Sequence, residues 1–443
     1  MKKFFLIAFS LLCMSSALQA GDYVPSAQNV QAREQFRKQR FGIFIHWGIY
    51  SMRGRGEWAL QVDSLKQSEY SRMAAGFYPS KFDAQQWARI FKNAGARYIT
   101  ITSRHHDGFS MFDTAASDYD IIDASPFKRD VIAELSAACA KEGLGFNLYY
   151  SILDWGRDDY WPRGRTGLKT GRPDGKEGDW ERYHDFMDAQ ITELLTKYGP
   201  IGAIWLDGLW DMDMYPREDQ PEVWKLDRHY KLVHDLQPSC LVGNNHHMMP
   251  FPGEDIQIFE RDIPGYNEGG LSGQDISKLP LETCQTMNWS WGYDMSDTWY
   301  KPAGEFIQYL VRTAGKGANL LLNVGPRADG TIPEDAVDRL TKMGEWLAVY
   351  GDSIYDTDGG YISEQEWGVT TQRGKRLFMH VLKENQSIEI DIPAGNRIVS
   401  AKGFDSNAAV AFKQNKGKAV ITLPARQENC PDQIIVIDFK KEL

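Results

Sequence analysis

The stretch Ala203-Ile204-Trp205-Leu206-Asp207-Gly208-Leu209-Trp210 decides the reading of this 443-residue chain. Four apolar residues run without alternation, the pattern of a parallel strand covered on both faces. A carboxylate follows at once. Working outward, similar apolar or β-branched runs recur at 41–46, 98–102, 145–150, 241–243, 255–259, 283–287 and 320–324. Helical patterns fill most of the gaps, at 83–94, 130–141, 180–198, 222–236, 303–313 and 333–350. Asp83 offers an N-cap, and Gly95 and Gly143 offer C-terminal stops.

Eight strands alternating with helices predict an α/β fold, a (β/α)₈-like barrel over 21–354. Little room is left for full helices between the fifth and seventh strands, so the barrel is expected to be irregular there. The texture changes from about Tyr355. Strand patterns at 378–382, 387–392, 398–402, 419–423 and 433–439 follow one another with no helix between them. They predict a C-terminal antiparallel β-sandwich over 355–443. The Arg-, Gly- and Asp-rich segment 154–179 reads as a long loop at the barrel rim.

Residues 1–20 read as a signal peptide: Lys2 and Lys3, an apolar run over 4–12, then Ala17-Leu18-Gln19-Ala20 as a cleavage site. Export to the periplasm or outside is expected. No later stretch is long and apolar enough for a membrane span. The net charge of −10 argues against a nucleic-acid partner. The cysteine spacings fit no zinc motif, and buried free thiols are expected.

A barrel of this type carries its chemistry at the C-terminal ends of the strands. There the chain delivers His46-Trp47, His105-His106, Tyr149-Tyr150, Asp207, Asn244-Asn245-His246-His247, Glu260 and Trp289-Ser290-Trp291. Asp207 is the candidate carboxylate nucleophile; its bland reading is a loop-bonding or capping Asp. A retaining glycosidase needs a second carboxyl about 5 to 5.5 Å away to donate a proton. Glu260, at a strand end, is the better-placed acid, although Arg261 could tie it in an ion pair. Glu254, at the other end of that strand, is the alternative.

His105 and His106 are neighbours, and on an extended chain their rings would face opposite ways, which disfavours joint metal binding. No metal site is expected. Neutral imidazoles suit sugar hydroxyls, offering one donor and one acceptor. Trp47, Trp58, Trp210 and Trp291 can supply stacking faces, with core packing as the alternative for each.

Six motifs, in order, carry a resemblance: Phe41-Gly42-Ile43-Phe44-Ile45-His46-Trp47-Gly48, Gly56-Glu57-Trp58, His105-His106-Asp107-Gly108-Phe109, Trp205-Leu206-Asp207-Gly208, Ser290-Trp291-Gly292-Tyr293 and Leu321-Leu322-Asn323-Val324-Gly325-Pro326. Together they resemble glycoside hydrolase family 29, the α-L-fucosidases. The resemblance implies an exo-acting enzyme that releases terminal α-L-fucose from fucosylated glycans by a retaining mechanism, with no cofactor. It places the nucleophile at Asp207 and implies that His46, Glu57, His105, His106, Tyr150, Trp210 and Trp291 line the fucose pocket. It fixes the acid in no motif. Where many members carry an Arg-containing segment after the fifth strand, this chain has Asn244-Asn245-His246-His247-Met248-Met249. Alternative readings are a non-catalytic glycan-binding protein, an α-galactoside specificity on the same site, and a metal hydrolase centred on His105 and His106.

Overall fold

The computed structural model describes residues 23–171 and 179–443; the expected export segment lies outside them. Eight parallel strands form the main sheet: β1 Phe41–Ile45, β2 Tyr98–Arg104, β3 Gly145–Ser151, β4 Ala203–Asp207, β5 Leu241–Asn245, β6 Gln257–Glu260, β7 Leu281–Thr286 and β8 Ala318–Val324. Each falls on a run expected from the sequence. Neighbours follow chain order from β1 to β5 and from β6 to β8, and β8 pairs with β1. Between β5 and β6 the ladder gives way to one bridge, Gly243 to Ile256. The irregularity therefore sits where the connecting chain is too short for a helix.

The outer helices follow their caps. Helix Ala84–Asn93 starts at Asp83, whose carboxylate accepts from the Gln86 N–H at 2.9 Å. Helix Val131–Glu142 starts at Asp130 and stops at Gly143, at φ +68°. The helix expected over 222–236 is broken instead. Gln220–Val223 and Leu226–Leu236 are separated by Lys225 at φ +46°. The break lets Trp224 turn fully inward, where its Nε1 donates to the Leu209 carbonyl at 3.2 Å. Not foreseen, besides the one-turn helices Ala59–Val62 and Gln67–Tyr70, was the long helix Ala27–Gln39. It caps the N-terminal end of the barrel, where Asn319 Nδ2 donates to the Phe36 carbonyl at 2.7 Å. No helix among the described residues is long and apolar enough to cross a membrane. Cys139, Cys240 and Cys284 are buried free thiols, and Cys430 is also unpaired.

The C-terminal region holds two antiparallel sheets. One has five strands: β9 Asp358–Gly359, β10 Gly368–Arg373, β11 Arg376–Val381, β13 Ile398–Gly403 and β16 Gln433–Phe439. The other has three: β12 Ser387–Asp391, β14 Phe412–Asn415 and β15 Lys418–Thr422. β9, β10 and β14 were not expected, because they are short or polar. Period-2 alternation divides β11 and β16 between two cores. Leu377, Met379, Ile435 and Ile437 pack within the sandwich. Phe378, Ile434 and Val436 join the barrel core. Both faces are buried, which is why the β16 sequence reads as nearly unbroken hydrophobic.

Helix Glu334–Tyr350 lies so close to helix Ala84–Asn93 that a Cβ on Gly344 would stand 2.0 Å from the Asn93 carbonyl oxygen. Gly344→Ala must push the two helices apart. The expected cost is about 1–3 kcal/mol, read as a lower urea midpoint. An unchanged midpoint would show that the contact is not tight.

Candidate active site

The parallel ladder sets Ser151, Asp207 and Asn245 side by side at the ends of β3, β4 and β5. Above this row opens a cavity of about 200 Å³, suited to one sugar ring. Asp207 lines it and is only 8% exposed. Its Oδ2 accepts from the Tyr149 hydroxyl at 2.8 Å, and its Oδ1 accepts from Trp210 Nε1 at 2.9 Å. Glu260 stands across the open seam between β5 and β6. The Asn245 amide nitrogen reaches both carboxylates, at 2.8 Å to Glu260 Oε2 and 3.4 Å to Asp207 Oδ1. Those two oxygens can be no farther apart than these bonds laid end to end. Burial pushes the Asp207 carboxyl up to about 7, and the negative charge of Glu260 adds to the push.

The Arg261 side chain turns away from Glu260. Its Nη2 donates to the Trp289 carbonyl at 2.8 Å, and its guanidinium lies over the Trp291 ring. Glu254 is not at the cavity. It is buried, accepting from the Tyr230 hydroxyl at 2.8 Å and from His246 Nε2 at 3.0 and 3.1 Å. Of the two glutamates, Glu260 lines the cavity and Glu254 does not.

Four histidines line the cavity: His46, His105, His106 and His247. The expectation that His105 and His106 face opposite ways does not hold. β2 ends at Arg104, the chain turns, and the two rings come within 4.1 Å of each other on one side. Burial drives the His46 pKa down to about 3, and those of His105 and His106 well below the ordinary imidazole range. All three are therefore neutral, and two have a defined tautomer. Asn323 Nδ2 donates to the Trp291 carbonyl at 2.7 Å, so its amide oxygen must accept from His46 Nδ1, also at 2.7 Å. Ser151 Oγ donates to the Leu153 carbonyl at 2.6 Å, so it must accept from His106 Nδ1 at 2.7 Å. Each ring keeps Nε2 as an acceptor for a ligand hydroxyl.

Glu57 also lines the cavity, and its Oε2 accepts from the Gly292 N–H at 2.8 Å. A Cβ on Gly325 would stand 2.7 Å from the Gly292 carbonyl carbon. Glycine at 325 is what lets the Trp291 turn close against Glu57. Trp58, Trp210 and Trp291 are on the cavity wall, with the first two rings stacked 5.8 Å apart. Trp47 is not. It is fully buried among Phe77, Phe82 and Trp87, behind the site.

Tyr150 is likewise displaced from the cavity. Its hydroxyl donates to Gln190 at 2.9 Å, on the outer face of β3. Its neighbour Tyr149 takes the inward position, level with Trp205. Sequence reading placed Tyr149, Asn245 and His247 at the barrel rim without assigning them to the pocket, and it missed Arg165, Phe44 and Trp205; all six are at the cavity. Counting back in twos from Asp207 finds Trp205, and the same count on β1 finds Phe44 from His46. Tyr149 needs the cross-strand register, which sequence does not print. The segment 154–171 packs on the turn that follows β4. Asp211 accepts from the Tyr160 hydroxyl at 2.7 Å and the Thr166 N–H at 2.8 Å, and this brings Arg165 to the cavity wall.

Comparison with known proteins points to one family. The family profile described as Alpha-L-fucosidase matches residues 10–352. The α-L-fucosidase of Dictyostelium discoideum is 27% identical over 439 residues, covering 89% of each chain. Among solved structures, α-L-fucosidase isoenzyme 1 from Paenibacillus thiaminolyticus superposes with a TM-score of 0.81 at 32% identity, over 94% of this chain and all of that one (100%). The Thermotoga maritima α-fucosidase gives 0.72 at 28% identity, with coverage of 94% and 100%. The eight-stranded barrel, the C-terminal sandwich and these matches place the chain in the α-L-fucosidase family, glycoside hydrolase family 29.

Proposed function

We propose that this glycoside hydrolase removes terminal α-L-fucose by retaining double displacement, with Asp207 as nucleophile and Glu260 as acid and base. The observation that carries the reading is the shared Asn245 amide. Its two bonds bring one oxygen of each carboxylate within reach of a single amide nitrogen, an arrangement compatible with the roughly 5–5.5 Å spacing of retaining enzymes. An Asp207 oxygen attacks the anomeric carbon as the bond to the leaving oxygen breaks. That oxygen takes the bond's electron pair and a proton from Glu260. Water, deprotonated by Glu260, then attacks the same carbon and frees Asp207. The neutral histidines receive sugar hydroxyls, and Phe44, Trp205 and Trp291 offer an apolar wall for the methyl of a 6-deoxy sugar.

Asp207→Ala should lower turnover of nitrophenyl α-L-fucoside by about a thousandfold or more. Retained turnover would remove Asp207 from the role. Asp207 attacks only when ionised, and its pKa is raised to about 7, so kcat/KM should fall as pH drops through that value. Glu260→Gln deletes the like charge, and the acid limb should move to lower pH. The same variant should lose about 10²–10⁴-fold on a fucosyl disaccharide, whose leaving group needs a proton, and much less on the nitrophenyl fucoside. Equal losses on both substrates, with an unmoved acid limb, would point to another acid.

The N-terminal pattern supports export of the enzyme. N-terminal sequencing of the secreted protein should begin at Gly21; a secreted form that retains Met1 would contradict it.

A further inference from the structure

Inside the barrel, one layer beneath the reaction centre, stands a carboxyl that the proposed chemistry does not use. Glu282 on β7 pairs with Ile258 of β6, and two residues on Cys284 pairs with Glu260. Inward positions alternate along a strand, so Glu282 lies one inward step below the level of the acid. It is 2% exposed and does not line the sugar cavity. Burial pushes its pKa up to about 7. A leucine at this level would avoid that cost, because a carboxyl among aliphatic side chains is unfavourable unless its oxygens are bonded.

The bonds it makes run across the barrel. The Tyr98 hydroxyl donates to Glu282 Oε2 at 2.5 Å. Tyr98 is on β2, and β1 and β8 separate it from β7. Its ring crosses that gap over Gly42, its partner on β1, where a Cβ would stand 2.4 Å from Tyr98 Cζ. The Trp205 indole faces the same carboxyl, and its N–H favours the charged form against burial. This contact is loose, outside ordinary bonding geometry, and the buried N–H meets no other acceptor among the described residues. Trp205 lines the sugar cavity and stands two residues before Asp207 on β4.

We propose that Glu282 is a positioning residue: held by Tyr98, its carboxyl is the acceptor that fixes the Trp205 indole, the floor on which the bound sugar meets Asp207. A ring held by packing alone slides against its neighbours; an anchored N–H removes that freedom. The proposal rests on the fucosidase reading above and adds to it a residue that never touches substrate.

The test measures kcat/KM for nitrophenyl α-L-fucoside in the full chain and in Glu282→Leu, Glu282→Gln, Trp205→Phe and the double variant Glu282→Leu, Trp205→Phe. Glu282→Leu should lose about tenfold or more through misplacement of the floor, while its urea midpoint holds or rises. Glu282→Gln should stay within about threefold, because its amide oxygen accepts from the indole and its NH₂ donates to the Tyr98 hydroxyl. Trp205→Phe removes the N–H, so adding Glu282→Leu to it should cost nothing more. The indole N–H resonance that is missing in Trp205→Phe should also be the one that Glu282→Gln displaces most. Wild-type kcat/KM in a folded Glu282→Leu, losses that multiply in the double variant, or an undisplaced Trp205 resonance overturns the assignment. Should Glu282→Leu not fold, the resonance decides. A wild type inert toward the nitrophenyl fucoside overturns the fucosidase reading, and the resonance alone then decides the Glu282 contact.

Discussion

The parallel hydrogen-bond ladder sets the level at which every inward side chain stands, and the site is built on that constraint. Tyr149 pairs with Trp205 and Trp205 with Gly243, one step below Ser151, Asp207 and Asn245. Inward positions alternate, so an aromatic layer lies directly beneath the carboxylate. Gly243 has no side chain to add to that layer, and a Cβ there would meet Ile258 at 2.9 Å. Phe44, Tyr149 and Trp205 pack together instead, their ring centres 5.2 to 5.8 Å apart. Asp207 stands on a floor that no ordinary loop could hold flat.

That floor governs the electrostatics. Aromatic walls exclude water, and the cost of charging any group rises with its burial. The three histidines respond by staying neutral. Asp207 responds by holding its proton more tightly, and two fixed donors, Tyr149 and Trp210, partly offset this. Those donors are already oriented before substrate arrives, so little reorganisation remains for the reaction itself.

Much of this was legible in the sequence because the relevant signals are local. Short apolar or β-branched runs marked all eight barrel strands, several of them nearly unbroken, and polar or aromatic residues after nearly every run marked the rim. Asp207 and Glu260 were found in that way. What escaped depends on relations between distant segments. The adjacent pair Tyr149-Tyr150 is buried on both sides, so hydrophobicity alone cannot say which ring faces inward. Trp47 looked available because it follows His46, yet the chain leaves the strand there and turns the indole outward into the helical layer. Glu254 and Glu260 differ only in which end of a short strand they occupy. β14 was missed for a simpler reason: a mostly exposed edge strand has no apolar pattern to read.

The open seam between β5 and β6 has a consequence for how this scaffold tolerates change. Elsewhere the ladder transmits any shift in one strand to the next. At the seam the strand pairing among the described residues narrows to the Gly243–Ile256 bridge, joined by the Val242 N–H bond to Asp255 and the Asn245 bond to Glu260, so residues added or lost between 247 and 253 would not slip the register of either neighbour. The polypeptide there is free to diverge in length and chemistry while Asn245 and Glu260, at its two margins, keep their places. The barrel thus separates the ladder-held carboxylates from a lip whose length the ladder does not set, so the lip can change without moving them.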